Sequence, residues 1–397
     1  MLKPIDLNTL RFIREHREED VRTLALKNKN EKIDMLFALE QIQGWQTART
    51  KLPSWTSIGG VIYPPHLSME QCSSESTALY KSSIIPRCGK ADTFVDLTGG
   101  YGVDFSFMSR GFTKAFYVER QENLCDIARN NFPLLGLQNA DVIHGDGIEF
   151  LQTLEHVSVL FLDPARRKEH GSKAILLEDC TPNLLEIKEL LLDKADTIVV
   201  KLSPMLDWHL AVEQLGSVFE VHVVSVGNEC KELILVLRKD YIGTPTLYCV
   251  NDGNVFIVDK ETKKATLPSA ELVSLPLAKY LYEPNASIMK VGCFDEISSF
   301  YNISPLGKNS HLFVSAVLAE GFPGRTFKIL RLCSMNKHDL RDALKNIDRA
   351  NIAVRNFPMS AVELRKRLRL KDGGDVFIFG TIVEHHTHVL LLASRIS

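Results

Sequence analysis

The residues best suited to chemistry in this sequence lie in a glycine-rich turn near position 100. A short apolar strand, TFVDL, leads into the turn, and an amphipathic segment, VDFSFMSRG, follows it. This order places backbone N–H groups and a helix N-terminus against a ligand, and glycine permits both close approach and positive φ. We expect the ligand-binding residues of this stretch to be Asp96, Thr98, Gly99, Gly100, Gly102 and Asp104.

The surroundings of the glycines indicate which ligand they suit. Gly100 and Gly102 are not followed by the third small residue of the dinucleotide fingerprint, because VDF comes next. The Asp96 carboxylate would repel a pyrophosphate but attract an ammonium or sulfonium group. The turn therefore favours a cationic amino-acid head group, and a tight turn without a ligand is the alternative.

Polar residues also follow the next apolar strands. Glu119 lies twenty residues after Gly99, where a carboxylate can accept both hydroxyls of a ribose. Asp146 lies where an adenine amino group could be bound. Ligands of open α/β sheets bind at the carboxyl ends of the strands. We therefore expect one site from residues at those ends: Glu119, Asp146, Gly147, Asp163, Pro164, Arg166 and Lys201.

The elements that must position these residues alternate between strand and helix over residues 86–240. Strands are predicted near 93–97, 115–119, 141–144, 157–162, 196–201, 219–226 and 232–238, with helices between the first six. The last two are separated by five residues, too few for a crossover helix, so they should be antiparallel. The fold class is therefore α/β, with a seven-stranded Rossmann-like sheet.

The flanking regions have other patterns. Residues 1–85 predict a helical region, including one helix over 31–49, and residues 241–320 predict a hairpin and a small α/β module. Arg49, Lys51 and Trp55 together allow a nucleic-acid contact, or else a helix end with a core tryptophan. The segment 70–81 combines helix caps with hydroxyls and carboxylates that could form one wall of the site.

The C-terminal residues 321–397 are basic. They contain 14 Lys and Arg against 7 Asp and Glu, a net of +7, whereas the remainder has 33 basic and 42 acidic residues, a net of −9. A basic module on an acidic body is typical of nucleic-acid binding, and a solvated helix face is the alternative. The candidate RNA contacts are Arg355, Arg365, Lys366, Arg367, Arg369 and Lys371.

The composition, and first residues that do not resemble a signal peptide, predict a cytoplasmic protein. The apolar runs are too short to cross a bilayer, and the first residues lack the apolar core of a signal peptide. The eight cysteines form no C-x-x-C pair, which favours neither a zinc site nor a disulfide framework. His385, His386 and His388 do not predict a metal, because neighbouring strand positions point to opposite faces.

The order of VDLTGGYGVD, Glu119, Asp146 and DPAR resembles the class I S-adenosylmethionine (SAM)-dependent methyltransferases. Nearly the whole chain resembles a bacterial family of these enzymes with a ferredoxin-like segment and a C-terminal THUMP-like domain. The motifs that carry this resemblance are EQCSSESTALYK, DPARR, KLSP, NIAVRNF and LRKRLRLKDGGD. The resemblance implies SAM as cofactor, and tRNA or rRNA as partner, with residues 321–397 as the THUMP-like domain.

The resemblance also implies the roles of the residues after the fourth strand. Asp163, with Pro164, would lie beside the transferred methyl and orient the nucleophile or accept its proton. Arg166 or Arg167 would hold a phosphate or base edge, and Lys201 is a second candidate there. Enzymes that methylate nucleic-acid amino groups usually carry a second proline and an aromatic residue, where this chain has Ala165 and Arg166, so amino-group methylation is not predicted.

Two other functions are compatible with the sequence. One is a small-molecule methyltransferase that uses the C-terminal module for assembly. The other is a non-catalytic RNA-binding protein, against which the intact glycines and strand-end acids argue. Cys180 does not have the context of a carbon-methylating cysteine and is predicted to be a core residue. Neither the oligomeric state nor the methylated atom follows from these patterns.

Overall fold

The protein is described from a computed structural model that covers residues 5–27, 32–89, 92–166, 176–259, 261–262, 275–307, 309–383 and 387–396. The chain divides into two compact units. The first comprises Met1–Val221 and Glu232–Pro245, and the second comprises His222–Lys231 and Thr246–Ser397.

The described helices are distributed over both units. They are α1 (Leu7–His16), α2 (Val21–Lys27), α3 (Met35–Lys51), α4 (His66–Gln71), α5 (Glu75–Ile84), α6 (Val103–Met108), α7 (Glu122–Leu134), α8 (Gly147–Thr153), α9 (Leu184–Lys194), α10 (Trp208–Leu215), α11 (Ala286–Val291), α12 (Phe294–Tyr301), α13 (Lys337–Ala343) and α14 (Ala361–Leu368).

The described strands are β1 (Thr93–Asp96), β2 (Lys114–Glu119), β3 (Ala140–His144), β4 (Val157–Leu162), β5 (Ala165–Arg166), β6 (Cys180–Thr181), β7 (Ala195–Leu202), β8 (Val218–Val226), β9 (Glu229–Leu237), β10 (Thr246–Asn251), β11 (Asn254–Val258), β12 (Tyr280–Pro284), β13 (Ser304–Pro305), β14 (Phe313–Ser315), β15 (Gly324–Ser334), β16 (Asn351–Arg355), β17 (Val376–Val383) and β18 (Thr387–Arg395).

The sheet that carries the glycine turn has the strand order β3-β2-β1-β4-β7-β9-β8. Strand β4 is buried at all six positions, as expected for an apolar strand at the centre of a parallel sheet. It pairs in parallel with β1 and β7, whereas β9 runs antiparallel to β7. The predicted seven-stranded sheet with a terminal antiparallel hairpin is therefore confirmed.

The second unit contains the tip of this hairpin, and there the strand order continues past β8 through β10 and β11. The predicted turn between β10 and β11 is confirmed, since Asp252 and Gly253 both have positive φ, as a two-residue hairpin turn requires. The same unit holds a seven-stranded sheet with the order β13-β14-β12-β15-β18-β17-β16. Only β16 and β17 are parallel among its described pairs.

The N-terminal region differs from the prediction in the bounds of its long helix and decides between the two alternatives for Trp55. Helix α3 begins at Met35, after its N-cap Asp34, and ends at Lys51. Trp55 is 1% exposed and its ring lies 5.3 Å from that of Tyr101. A base cannot stack on a buried ring, so stacking on Trp55 is wrong and its alternative, a core tryptophan, is confirmed.

The sequence predicts a basic helix from Ser360 to Leu370, with Leu364, Leu368 and Leu370 towards the core and Arg365 and Arg369 on one face. Helix α14 ends two residues earlier, at Leu368. Ser360 and Glu363 form a capping box at its start, and Arg369 ends it with a left-handed φ of 56°. Leu364 and Leu368 face the core as predicted. Because Arg369 leaves the helix, it does not share a helical face with Arg365.

Candidate functional site

The glycine turn is constrained both by its backbone and by what lies beneath it. Gly100 and Gly102 have φ of 56° and 81°, where other residues are strained. A Cβ on Gly99 would lie 2.3 Å from the Tyr117 ring, and one on Gly102 would lie 2.8 Å from Phe132. A Cβ on Gly100, by contrast, would meet nothing closer than 3.7 Å. Gly100 thus faces open space, which makes it the position where a ligand can approach the backbone.

Glu119, at the end of β2, reaches back to this turn. Its Oε2 accepts the Gly100 backbone N–H at 2.9 Å, and its Oε1 accepts that of Gln121 at 2.8 Å. The carboxylate is therefore fixed beside Gly100 before any ligand arrives. Each oxygen retains a lone pair for a further donor, as recognition of two hydroxyls requires.

Asp146, at the end of the segment after β3, is the N-cap of α8. Its Oδ1 accepts the backbone N–H groups of Ile148 and Glu149, and its Oδ2 is bonded by Arg120. Burial would raise the pKa of Asp146, but these hydrogen bonds outweigh it and hold the pKa below its usual value. A Cβ on Gly147 would lie 2.1 Å from the Leu97 carbonyl oxygen, so Gly147 allows the start of α8 to approach the residue that follows β1.

Asp96 and Thr98 connect the ends of β1 and β4. Asp96 is 2% exposed and accepts the Thr98 backbone N–H at 2.9 Å. The Thr98 hydroxyl oxygen accepts the backbone N–H of Asp163 at 2.7 Å. Burial raises the pKa of Asp96 well above its ordinary value. A cation that bound beside it would restore its charge.

Asp163 is paired with Lys201, which lies near the end of β7. The two side chains are 2.5 Å apart, and Lys201 Nζ is also 3.6 Å from Asp104 Oδ2. Although burial opposes the lysine charge, Asp163 and Asp104 raise the pKa of Lys201 well above its ordinary value. Lys201 is therefore a permanent cation that holds one side of the Asp163 carboxylate.

Asp104, expected among the ligand-binding residues, lies in a buried charge cluster. Lys81 Nζ is 3.1 Å from its Oδ1, and the Ser73 hydroxyl donates to its Oδ2 at 2.7 Å. Lys81 also bonds Glu232 and is fully buried. Burial would raise the pKa of Asp104, but Lys81 and Lys201 outweigh it and hold the pKa below its usual value.

Ser73, Lys81 and Glu232 were not identified individually from the sequence. The sequence predicts helix caps in the segment 70–81, which are found, and one wall of the site, which stays a prediction. Ser74 caps α5, while Ser73 and Lys81 reach the Asp104 carboxylate. Glu232 stands beside the apolar run LILVL, and no local pattern distinguishes it from a solvent-exposed strand residue.

The segment after Asp163 is held by a short β-ladder. Pro164 is buried, and Ala165 and Arg166 of β5 pair with Thr181 and Cys180 of β6. Cys180 is 2% exposed, which confirms it as a core residue. The side chain of Arg166 lies outside the described part of the structure, as does Arg167.

The predicted RNA contacts in the second unit fall into two groups. Arg355 pairs with Glu283 at 2.7 Å, and Arg365 pairs with Asp372 at 2.5 Å, so both already have acidic partners. The exposed remainder comprises Lys366, Arg367, Arg369 and Lys371.

Two of these exposed cations line a groove of about 510 Å³ formed by α13, α14 and the residues that follow each helix. Its cations are Lys337, Arg341, Arg367 and Arg369, and its apolar floor is Leu340, Leu344, Ile347, Leu368 and Leu370. Among the described residues, no carboxylate forms an ion pair with any of the four cations. The groove is therefore a concentration of uncompensated positive charge.

The described residues provide neither a metal-binding cluster nor a membrane-spanning helix. No group of three or more His, Cys, Asp and Glu among them could hold a metal ion, although His385 and His386 lie outside the described residues. None of the described helices is both long and apolar enough to cross a membrane.

The fold is that of the class I SAM-dependent methyltransferases. Its features are a parallel sheet that ends in an antiparallel hairpin, a glycine turn after β1 and acids after the next strands. Comparison with known proteins agrees with it. A putative methyltransferase from Porphyromonas gingivalis W83 is 31% identical over 98% of both chains, with a TM-score of 0.86. Residues 280–323 match a ferredoxin-like domain family and residues 324–395 a THUMP-like one. The chain therefore belongs to the family of class I SAM-dependent methyltransferases with a C-terminal THUMP-like domain.

Other solved structures share a smaller part of the chain. An rRNA methylase from Streptococcus thermophilus is 17% identical over 41% of this chain and 93% of its own, with a TM-score of 0.31. A putative methyltransferase from Escherichia coli is 16% identical over 43% of this chain and 90% of its own, with a TM-score of 0.32. No protein with a curated description matches the chain.

Proposed function

We propose that this protein transfers the methyl group of SAM to a nucleotide of RNA. The observation that carries the proposal is the pairing of two features in one chain. One is the set of strand-end acids around the open Gly100 turn. The other is the groove of unpaired cations in the THUMP-like domain. The first suits a methyl donor, and the second suits a polyanionic acceptor.

The turn fits SAM better than a dinucleotide. The space over the Gly100 backbone is open, since a Cβ there would meet nothing closer than 3.7 Å. Glu119 is held beside it with lone pairs for ribose hydroxyls. Asp96, buried beneath the turn, favours a ligand with positive charge over a pyrophosphate. The residues proposed to hold SAM are Asp96, Thr98, Gly99, Gly100, Gly102, Asp104, Glu119, Asp146 and Gly147, with Asp104 acting through the buried charge cluster.

The chemistry divides between cofactor and protein. SAM supplies a methyl group already activated by its positive sulfonium. The protein must align the nucleophile and exclude water. Asp163 accepts a hydrogen bond from the nucleophile and takes its proton after transfer, while Lys201 fixes the carboxylate. Pro164 and the ladder of Ala165 and Arg166 fix the backbone that carries Asp163.

RNA is favoured as the acceptor by the charge of the second unit. The groove cations have no acidic partners among the described residues, and such groups bind phosphates with release of counterions. Lys366 and Lys371, exposed beside the groove residues, extend the same surface. Arg355 and Arg365 contribute less in this proposal, because each is already paired with a carboxylate, which Arg355 shares with Arg325.

Transfer of a radioactive methyl group from SAM to RNA tests the proposal. The acceptors are bulk tRNA and bulk rRNA from a strain that lacks the gene, and the same RNAs from the parent strain serve as the control. We expect incorporation into one class of RNA from the deletion strain and little into RNA that is already methylated. Mass spectrometry of the nucleosides then identifies the modified base. Incorporation into neither RNA, with intact SAM binding, would contradict RNA as substrate and favour a small-molecule acceptor.

A further inference from the structure

Five charged side chains in the first unit form a chain of alternating sign. In order they are Glu232, Lys81, Asp104, Lys201 and Asp163, and each contacts the next. From Lys81 to Asp163 the exposed fraction of the side chains rises. The Lys81 side chain is fully buried, that of Lys201 is 13% exposed and that of Asp163 is 40% exposed. The three carboxylates exceed the two lysines by one negative charge, and the open end of the chain is Asp163.

Lys201 has two carboxylates within reach, and Lys81 is already paired with one of them. Lys201 Nζ is 2.5 Å from Asp163 but 3.6 Å from Asp104. Asp104 does not need Lys201 as a close partner, because Lys81 lies 3.1 Å from its other oxygen and Ser73 donates to it. Without Lys81, Asp104 would be a buried carboxylate whose nearest remaining cation is Lys201. A buried carboxylate without a close cation is strongly destabilising, so Lys201 would be drawn towards Asp104.

We propose that Lys81 is a positioning residue of the methyl-transfer site: by neutralising Asp104 it leaves Lys201 free to hold the Asp163 carboxylate at the open end. This inference rests on the proposed SAM site and does not require RNA as the acceptor. Asp163 is joined to the glycine turn through the Thr98 hydroxyl. A cation bound over that turn therefore meets Asp163 as the exposed negative end of the chain.

The expected pH dependence follows from the groups that face Asp163. They are Lys201 of β7, Asp104 of α6, Glu232 of β9 and Asp96 of β1. Only Lys201 favours the ionised carboxylate. If Lys201 moves towards Asp104, the pKa of Asp163 rises, and Asp163 loses its charge at a higher pH than in the parent.

The test compares SAM with S-adenosylhomocysteine, which lacks the methyl group and its positive charge. Calorimetry at several pH values gives the preference for SAM, as the ratio of the two dissociation constants. The main variant is the double substitution Lys81→Met with Glu232→Gln. It removes the charges of both Lys81 and Glu232, which are paired with each other, so neither is left as an unpaired buried charge. Thermal melting establishes that the variant is folded. Lys114→Met is the matched control. It removes an exposed lysine of the same unit, at the first residue of β2, whereas Glu119 is at the last.

For the double variant we expect a preference for SAM that is lower by about tenfold near pH 6, equivalent to one pKa unit, and that recovers as the pH rises. Lys114→Met should retain the parental preference at every pH. A folded double variant with the parental preference and pH profile would overturn the proposal, as would a loss that is the same at every pH. If the parent itself does not bind SAM, this inference and the proposed function both fail. Failure of RNA methylation alone leaves this experiment intact.

Discussion

The backbone N–H of Gly100 donates to Glu119 Oε2 at 2.9 Å. This bond joins the two parts of the sequence that were assigned separately to a cofactor. It orients the carboxylate proposed to accept the ribose hydroxyls against the turn in the ligand-free protein, so binding need not order that carboxylate. Preorganisation of this kind reduces the entropy lost on binding.

Glu119→Ala should weaken SAM binding by about 1.5–3 kcal/mol, the value of a hydrogen bond to a charged group. Gly100→Val should weaken it further, because a branched side chain would occupy the open space over the turn. Calorimetry with SAM measures both. Glu122→Ala, which removes an exposed carboxylate from the first turn of α7, should bind SAM like the parent. Parental affinity in both site variants would remove this turn from the cofactor site.

The sequence was sufficient to group these candidate residues because parallel strands bring their ends to one edge of the sheet. Once β1, β2 and β4 were recognised by their apolar runs, the residues after them had to meet at one edge of the sheet. Asp96, Glu119 and Asp163 therefore followed from local patterns. Helix ends were less accurate, as with Arg369, because a left-handed cap is not encoded by charge or apolar spacing.

The buried charge cluster could not be predicted in the same way. Lysine is rarely fully buried, so Lys81 in a helix is expected at the surface. Its partner Glu232 is 151 residues away in sequence, and only the completed sheet brings the two together. Arg355 gives the converse case. Its basic segment indicated a surface contact, but Glu283, which is almost fully buried, engages it.

Asp163→Asn should reduce methyl transfer by about two to four orders of magnitude, the usual contribution of a positioned acid or base, with SAM affinity within a few-fold of the parent. The amide keeps the size of the side chain but cannot take the proton of the nucleophile. Single-turnover transfer and calorimetry measure the two effects separately. Asp193→Asn, which changes a carboxylate on α9 that is 70% exposed, is the control. Equal losses of binding and rate would instead make Asp163 a residue that holds the cofactor.

Asp96→Asn should stabilise the ligand-free protein at neutral pH. Burial raises the folded-state pKa of Asp96, so the unfolded state binds fewer protons in the window above the unfolded-state pKa. Stability is therefore lost as the pH rises from about 4 through that window, by about 1.4 kcal/mol per pKa unit. The asparagine variant does not ionise, and its advantage in melting temperature should grow between about pH 4 and 7. An advantage independent of pH would contradict a titrating Asp96.

Although Asp96→Asn should stabilise the ligand-free protein, it should weaken the binding of SAM. The carboxylate is proposed to favour the positive charges of SAM, which an amide cannot neutralise. Asp96→Asn should thus bind SAM more weakly while melting at a higher temperature without it. The two measurements on one variant separate a ligand-binding carboxylate from one that only destabilises the fold.

The last prediction concerns RNA binding by the cations of the groove between α13 and α14. The triple variant Lys337→Ala, Arg341→Ala, Arg367→Ala removes three cations that line it. Arg369 is left unchanged because its backbone has a positive φ. The slope of log affinity for RNA against log salt should fall by roughly 0.7 for each phosphate of a single strand that the variant no longer neutralises. Filter binding with the RNA that accepts methyl groups measures this slope.

The matched control for the groove replaces Lys279, Lys290 and Lys328, cations of the same unit that do not line it. It changes the net charge by the same amount, so a nonspecific charge effect would lower both slopes equally. We expect the control to keep most of the parental slope, and both variants to bind SAM like the parent because the strand-end acids are unchanged. Parental RNA affinity and slope in the groove variant would show that these cations only solvate their helices.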